Sequence, residues 1–360
     1  METKFVLEDL LNTDISPYLN KDYIDMLNKL DDLNKKYEDV YLSISEILDR
    51  SIFDDLYKTH MAMAAAFDSS RLGLKGKERI EILEKSYQKK YKTIENHIKL
   101  LKEDVDLIDL EYIKRIHSLL SNPKKENKGN FRTIPRYRRF NTGKILCSTN
   151  IEEDLNKLIE FINNKDFGKY TLVNVAITQL AILSITPFDN LNRFVSITIA
   201  DKLMEKHYGK PIYMETVLYR IGKHKEDTIR YLRRFWKTGD FSPLMKIYID
   251  AIVTEMDSNI VFLDKLEKNI KDLYKVLINS NIKQSLIPQV IRFLIINNSF
   301  KIRDLHNTLD IKDRRTSLKI ADELEKLKLI SNLSDTHIKK YKVNEELLND
   351  FKLMYKIKTS

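Results

Sequence analysis

The sequence is poor in the residues that end and bend secondary structure. Glycine occurs 8 times and proline 7 times in 360 residues, about a third to two fifths of their average usage. This scarcity excludes collagen-like chains, chains rich in glycine loops and turn-dense all-β folds. It predicts a mostly helical protein.

Cysteine is nearly absent, since Cys147 is the only one. Intramolecular disulfides and cysteine-based zinc clusters are therefore excluded, and we expect Cys147 to fill space in the core. The 7 histidines lack the spacing of metal ligands, so we expect no metal site.

The sequence also lacks long apolar runs. No stretch reaches the roughly 18 apolar residues of a membrane span, and the first residues, METKFVLEDLL, lack the apolar core of a signal peptide. We expect a cytoplasmic protein without a membrane partner.

Charge and length describe a soluble globular protein. Apolar residues make up 42% and charged residues 32%, and 62 Lys and Arg against 53 Asp and Glu leave a net charge of +9. The length is typical of two or three domains. A charge of this size indicates a solvated, lysine-rich surface and does not by itself indicate nucleic-acid binding.

Apolar residues spaced three and four apart predict amphipathic helices along most of the chain. The predicted helices are 23–37, part of 43–74, 77–101, 109–120, 150–163, 172–183, 194–208, 226–236 and 243–280.

One stretch, residues 131–147, has the pattern of a β-hairpin instead. A turn at Asn141, Thr142 and Gly143 separates two short segments of strand-forming residues. Pro135 would confine the first strand to the edge of a sheet.

The last eighty residues predict a separate small module. Helices are expected at 285–297, 302–309 and 312–327, followed by strands at 329–333 and 338–343. Three helices and a two-stranded wing are typical of a winged-helix domain.

Several segments, in order, resemble the Fic domain family. They are GNFR at 129–132, AITQLAILSITPFDNLNRF at 176–194, KPIYM at 210–214 and YLRRFWKTGDFSPLMKIYIDAI at 231–252. The resemblance implies a mainly α fold, a Fic-type helical bundle with a short β-hairpin flap. It implies an N-terminal helical region (1–105), a Fic-like domain (106–280) and a C-terminal winged-helix domain (281–360).

The active-site motif departs from the family pattern H-P-F-x-[DE]-G-N-G-R-x-x-R. Aligned without a gap, Asn192 takes the asparagine position, but Asn190 replaces the acidic residue and Phe194 the first arginine. With one deletion after Phe188, Asp189 and Arg193 match instead, and Leu191 replaces the asparagine. Both alignments place Thr186 at the histidine position and lack the second arginine.

These departures remove the chemistry that the resemblance implies. Family enzymes transfer AMP or another phosphate-containing group to protein hydroxyls, with the histidine as general base, a glycine-rich turn on the phosphates and a carboxylate on Mg²⁺. A threonine hydroxyl is too weak a base, so we expect no catalytic residue. A degenerate nucleotide pocket is predicted at Pro187, Phe188, Asp189, Asn190, Asn192 and Arg193. Alternatively, Asp189 and Arg193 pair with each other or cap a helix.

An inhibitory helix of the family, [ST]-x-x-x-E-[GN], is also degenerate here. The segment AAAFDSSRLGLKG at 64–76 resembles it, with Ser69 and Ser70 at its start and Gly73 at the glutamate position. The glutamate and its arginine partner are then both missing. The alternative is that this match is accidental.

Two surfaces carry candidate binding residues. Arg132, Arg136, Arg138 and Arg139 are assigned to the flap, where Arg136, Arg138 and Arg139 could receive an acidic protein strand or guard a strand edge against aggregation. On the winged helix, DNA-binding candidates are Arg314, Arg315, Ser317, Lys319, Lys339 and Lys340. Winged helices also serve in docking and dimerisation, so a homodimer is an open alternative.

Three functions follow as hypotheses. The leading one is a non-catalytic binding or regulatory protein, acting at double-stranded DNA and needing no cofactor. The first alternative is a divergent nucleotide-dependent adenylyltransferase that uses ATP and Mg²⁺. The second is an interaction scaffold that binds neither nucleotide nor DNA.

Overall fold

The computed structural model describes fifteen separate parts of the chain. They are residues 2–4, 7–16, 21–56, 58, 93–121, 128–140, 143–164, 170–208, 230–231, 234–235, 238, 240–297, 299–311, 313–333 and 339–344. The predicted inhibitory segment with Ser69, Ser70 and Gly73, and the KPIYM segment at 210–214, lie outside these residues.

The chain forms two compact units. The first contains Met1–Leu30 and His60–Met256, and the second contains Asp31–Thr59 and Asp257–Ser360. The chain passes from the first unit to the second within helix α2 (Lys21–Ile44) and again within helix α7 (Ser242–Ile278). The three-region division predicted from the sequence stays a prediction.

The first unit is built around a helix that is buried on all sides. Its helices include α1 (Leu7–Leu11), α3 (Leu110–Leu120), α4 (Ile151–Asn164), α5 (Thr171–Ile185) and α6 (Asn192–Tyr208). Every residue of α5 except Leu183 is buried, and α5 packs against α1, α4 and α6. A helix that is apolar all round is stable only inside a core.

A small mixed sheet accompanies these helices. Strands β2 (Tyr137–Phe140) and β3 (Gly143–Leu146) pair antiparallel, as the sequence predicted, with Tyr137 opposite Leu146. Strand β1 (Glu2–Lys4) pairs parallel with the other side of β3, which the sequence did not predict. The strand order β1-β3-β2 leaves β2 at an edge of this sheet.

The second unit contains the C-terminal module. A 3₁₀ turn (Gln284–Leu286) leads into α8 (Ile287–Ile296), followed by β4 (Ser299–Lys301), α9 (Ile302–Thr308), α10 (Arg314–Lys326), β5 (Ile330–Asn332) and β6 (Lys340–Val343). The three predicted helices and two predicted strands are present, and β4 joins them in an antiparallel sheet of order β4-β6-β5.

The mainly helical class with one short hairpin in the first unit is confirmed. Within the described ranges, no helix combines the length and the apolar character needed to cross a bilayer.

Candidate functional site: the turn between α5 and α6

The residues from Thr186 to Leu191 form the turn that joins the buried helix α5 to α6. Both ends of the turn are left-handed, with φ of 51° at Thr186 and 59° at Leu191. Glycine adopts this conformation freely, whereas a side chain with a Cβ pays roughly 1–2 kcal/mol. The turn therefore keeps a strained backbone that the surrounding contacts must enforce.

Thr186 ends α5 and directs its hydroxyl back to that helix. Its N–H donates to the carbonyl of Ile182 at 2.9 Å, and its Oγ1 donates to the carbonyl of Leu183 at 2.7 Å. The residue is only 6% exposed. The hydroxyl proton is thus held by a backbone carbonyl, and the side chain caps a helix.

Asn192, the first residue of α6, closes the turn on Phe188. Its Oδ1 accepts the Phe188 N–H at 2.9 Å, and its Nδ2 donates to the Phe188 carbonyl at 2.7 Å. Asn192 is buried, so these two bonds are shielded from water. The amide replaces a backbone partner and fixes the width of the turn.

Phe188 anchors the turn in the core against α3. Its ring is fully buried and stacks on His117 of α3, with centroids 4.0 Å apart and planes 3° apart. His117 Nδ1 accepts the Gly129 N–H at 3.0 Å, which leaves the ring proton on Nε2. Gly129 has a φ of 74°, and a Cβ there would lie 3.1 Å from the Lys114 carbonyl.

Two arginines from the segment leading into β2 hold the backbone of the turn. Arg132 donates through Nε to the Thr186 carbonyl at 2.7 Å and through a terminal nitrogen to that of Ile185 at 3.1 Å. The Arg132 backbone N–H donates to the Pro187 carbonyl at 2.9 Å. A terminal nitrogen of Arg136 lies 3.4 Å from the Phe188 carbonyl and 2.6 Å from that of Asp189.

Five consecutive carbonyls, from residue 185 to residue 189, therefore accept hydrogen bonds from Arg132 or Arg136. Arg132 is 7% exposed and also donates to the carbonyls of Ile134 and Ser148. Burial lowers the pKa of Arg132, but a guanidinium stays protonated. Its charge is stabilised by the carbonyl end of α5, the negative end of the helix dipole.

The remaining predicted pocket residues lie at the surface of this turn. Asp189 is exposed, and Asn190 and Arg193 are half-buried. The Arg193 carbonyl accepts the Ser196 hydroxyl at 2.8 Å within α6. The turn thus places residues 186–193 beside Arg132 and Arg136, which the sequence did not predict, and the side chains of Thr186 and Asn192 bond within the protein.

The other two flap arginines, Arg138 and Arg139, belong to β2. Their Cα partners on β3 are Ile145 and Lys144. On the side away from β3, strand β2 is an edge of this sheet.

A buried polar cluster joins His97 to two residues of α6, and the sequence did not predict it. His97 Nε2 lies 3.2 Å from a carboxylate oxygen of Asp201, and His97 Nδ1 lies 2.8 Å from the Thr198 hydroxyl. All three residues are fully buried. Burial and the Asp201 charge raise the pKa of the Tyr248 hydroxyl well above its ordinary value. The separation of 101 residues between His97 and Thr198 hides this cluster from any local motif.

The second unit presents part of the predicted basic surface. Arg314, Arg315 and Lys319 are exposed along the first turns of α10, whose N-cap Asp313 accepts the Arg315 N–H at 3.0 Å. Ser317 does not lie on this surface, because it is fully buried with its hydroxyl 3.1 Å from His306 Nδ1.

Acidic residues of α10 are engaged by neighbouring groups. Asp322 lies 3.7 Å from the Lys339 ammonium, and Glu323 accepts the Asn281 N–H at 3.2 Å. The Asn281 bonds lower the pKa of Glu323. Lys340 is exposed on β6.

No metal-binding arrangement occurs in the part of the chain that the structure describes, where no group of three or more His, Cys, Asp or Glu side chains is placed to hold an ion.

The chain is similar to solved structures of Fic proteins. A Fic family protein from Desulfovibrio desulfuricans G20 is 13% identical with a TM-score of 0.48, covering 91% of this chain and 97% of that one. Fic-1 (residues 134–508) from C. elegans is 14% identical with a TM-score of 0.42, covering 66% and 72%. A Fic domain-containing signaling protein from Bacteroides thetaiotaomicron VPI-5482 is 9% identical with a TM-score of 0.43, covering 67% and 97%.

No family model matches the sequence, and no curated protein matches it significantly. The three solved structures bear the family name that the motif segments resemble. At these identities they carry no conclusion about activity.

Proposed function

We propose that this chain is a non-catalytic binding or regulatory protein with a Fic-like core. The observation that carries the proposal is the hydrogen bond from the Thr186 hydroxyl to the Leu183 carbonyl. A residue at the general-base position must accept a proton, and it does so efficiently when its own pKa lies near neutrality. Thr186 instead donates a hydrogen bond to a carbonyl of its own helix, in a left-handed cap.

The rest of the turn supports this proposal. Phosphoryl transfer depends on positioning and on charge stabilisation around the phosphates. Here Arg132 and Arg136 are turned towards backbone carbonyls, and Asn192 is turned towards Phe188. Neither ATP nor Mg²⁺ is needed for the function that we propose.

A labelling experiment tests the absence of transferase activity. The full chain is incubated with ATP labelled on the α-phosphate, Mg²⁺ and a cell lysate, and covalent label is measured after denaturation. We expect the label to match that of Thr186→Ala at background level. Label that survives denaturation and disappears in Thr186→Ala would establish the adenylyltransferase alternative.

DNA binding through the C-terminal module is the second part of the proposal. Its support is the exposed row of Arg314, Arg315 and Lys319 at the start of α10, the position from which a recognition helix contacts phosphates and base edges. Asp322 and Glu323, further along the same helix, are engaged by Lys339 and Asn281. The start of α10 therefore keeps a positive surface.

A salt titration tests this part. We expect Arg314→Ala/Arg315→Ala to weaken binding to a random duplex and to lower the slope of log K against log salt by roughly one per lost phosphate contact. Lys35→Ala/Lys268→Ala removes two exposed charges elsewhere in the second unit and serves as the control. Equal slopes in the two variants would refute this assignment, and no binding by wild type would favour the scaffold alternative.

The hairpin is the proposed site for a protein partner, because β2 is an edge strand of its sheet. Of the four flap arginines, Arg132 is buried and donates to backbone carbonyls, and Arg136 is exposed. A homodimer and a cytoplasmic location stay predictions.

A further inference from the structure

The hairpin and the turn are joined by two arginines that differ in exposure. Arg132 is buried and makes four side-chain bonds to carbonyls. Arg136 is exposed and contributes one terminal nitrogen to the carbonyls of Phe188 and Asp189. The Arg132 guanidinium is thus shielded from water, whereas that of Arg136 is open to it.

We propose that Arg136 is a latch that holds the hairpin against the Thr186–Leu191 turn and opens when an oxyanion binds its guanidinium. The turn has left-handed residues at both ends, so its backbone is strained and is held by contacts from outside it. Arg136 is the exposed member of those contacts.

The chemistry of the latch indicates what opens it. The Asp189 carbonyl is a neutral acceptor that engages one nitrogen of Arg136. A carboxylate or phosphate engages a guanidinium through two parallel bonds in which both partners are charged, whereas the carbonyl offers an uncharged acceptor. An oxyanion therefore competes for Arg136 and releases the Asp189 carbonyl.

Two backbone amides report on the latch separately. The Phe188 N–H lies inside the turn and donates to Asn192 Oδ1, so its protection depends on the turn staying closed. The Cys147 N–H donates to the Arg136 carbonyl, a backbone bond of the hairpin that does not involve the guanidinium. Loosening of the turn alone exposes Phe188 and leaves Cys147 protected.

Amide hydrogen exchange on the full chain, read by NMR, tests the latch. In Arg136→Ala we expect Phe188 to exchange about five- to tenfold faster than in wild type, with Cys147 unchanged, because one hydrogen bond to a charged group is lost. Arg136→Lys should fall between the two. Unchanged Phe188 exchange, or equal acceleration at both amides, would overturn the latch.

The opening step is tested with inorganic phosphate against chloride at equal ionic strength. Phosphate should accelerate Phe188 exchange in wild type and have no further effect in Arg136→Ala. A phosphate effect of the same size in Arg136→Ala would mean that the anion acts elsewhere, which would overturn opening through Arg136. No effect in wild type would overturn it equally.

Discussion

The side chain of Asn192 hydrogen-bonds both polar backbone groups of Phe188, at 2.9 Å and 2.7 Å, and so closes the turn between α5 and α6. The amide is suited to this task because it offers an acceptor and a donor at once. Both bonds are buried, so losing either one leaves a polar group with neither its protein partner nor water to bond to.

Asn192→Asp should therefore be destabilising although it changes few atoms. The carboxylate has no proton to donate to the Phe188 carbonyl, so the two oxygens repel each other. We expect a loss of about 2–3 kcal/mol in the free energy of unfolding, measured by urea denaturation. Asn190→Ala, in the same turn but half-buried, should lose less than about 0.5 kcal/mol. Equal effects would contradict the closing role of Asn192.

Arg132 should behave as a structural residue. Arg132→Met keeps the length of the side chain but leaves the carbonyls of Thr186 and Ser148 without donors inside the protein. We expect a loss of about 2–4 kcal/mol in the free energy of unfolding. Arg132→Lys should recover less than half, because an ammonium lacks the planar array of donors. Arg136→Met is the control, and a loss as large there would refute the distinction by burial.

Much of the fold could be predicted because it depends on local patterns. Helix α3 follows its apolar spacing and begins at Asp109, whose carboxylate accepts the Tyr112 N–H at 2.6 Å. The three helices of the C-terminal module lie close to their predicted bounds, and both hairpin strands lie inside the predicted stretch 131–147. Strands β1 and β4 were missed because each has three residues and takes its register from a partner distant in sequence.

The sequence identified the motif segment but did not predict the geometry of the turn that it forms. The motif segment identified Thr186 and its neighbours. The left-handed conformations of Thr186 and Leu191 could not be predicted, because threonine and leucine usually avoid them. Arg132 was assigned to the flap, and its burial was not predicted. Its role depends on carbonyls that lie more than fifty residues away in sequence.

At the end of α10, a lysine occupies a position that usually carries glycine. Lys328 has a φ of 58° and is exposed, and the Leu329 N–H donates to the Leu324 carbonyl at 2.9 Å, as in a helix end that usually carries glycine. Lys328→Gly should raise the free energy of unfolding by about 0.5–1 kcal/mol. Lys328→Ala keeps a Cβ and should give no gain. A gain from alanine alone would indicate a cause other than backbone strain.

His97 and Asp201 should be energetically coupled. Both are fully buried and 3.2 Å apart, and removing the Asp201 carboxylate leaves His97 its contact with the Thr198 hydroxyl but takes away the charged group beside its Nε2. We expect about 3 kcal/mol of destabilisation from Asp201→Asn, and less from His97→Gln/Asp201→Asn than the sum of the single changes. Urea denaturation of the four proteins measures this cycle. Strict additivity would show that the two side chains do not depend on each other.

Thr186→His alone should not create an efficient transferase. A histidine supplies a base of suitable pKa and tolerates the left-handed backbone of this cap better than threonine. A general base contributes roughly 10²- to 10⁴-fold only where a nucleotide is already held in line with the target hydroxyl. Here Leu191 occupies a left-handed position suited to glycine, and Arg132 and Arg136 donate to the turn's own carbonyls.

The measurement is covalent AMP transfer from labelled ATP by Thr186→His, with Thr186→Ala as control. We expect both to remain at background. A variant carrying the complete family motif from residue 186 onward, including its glycines, carboxylate and both arginines, should exceed Thr186→His, because it restores the phosphate contacts along with the base. Turnover near roughly 1 s⁻¹ from Thr186→His alone, the range of a slow working enzyme, would mean that the turn already binds nucleotide. The absence of activity in this chain would then depend on Thr186 and not on the hydrogen bonds that close the turn.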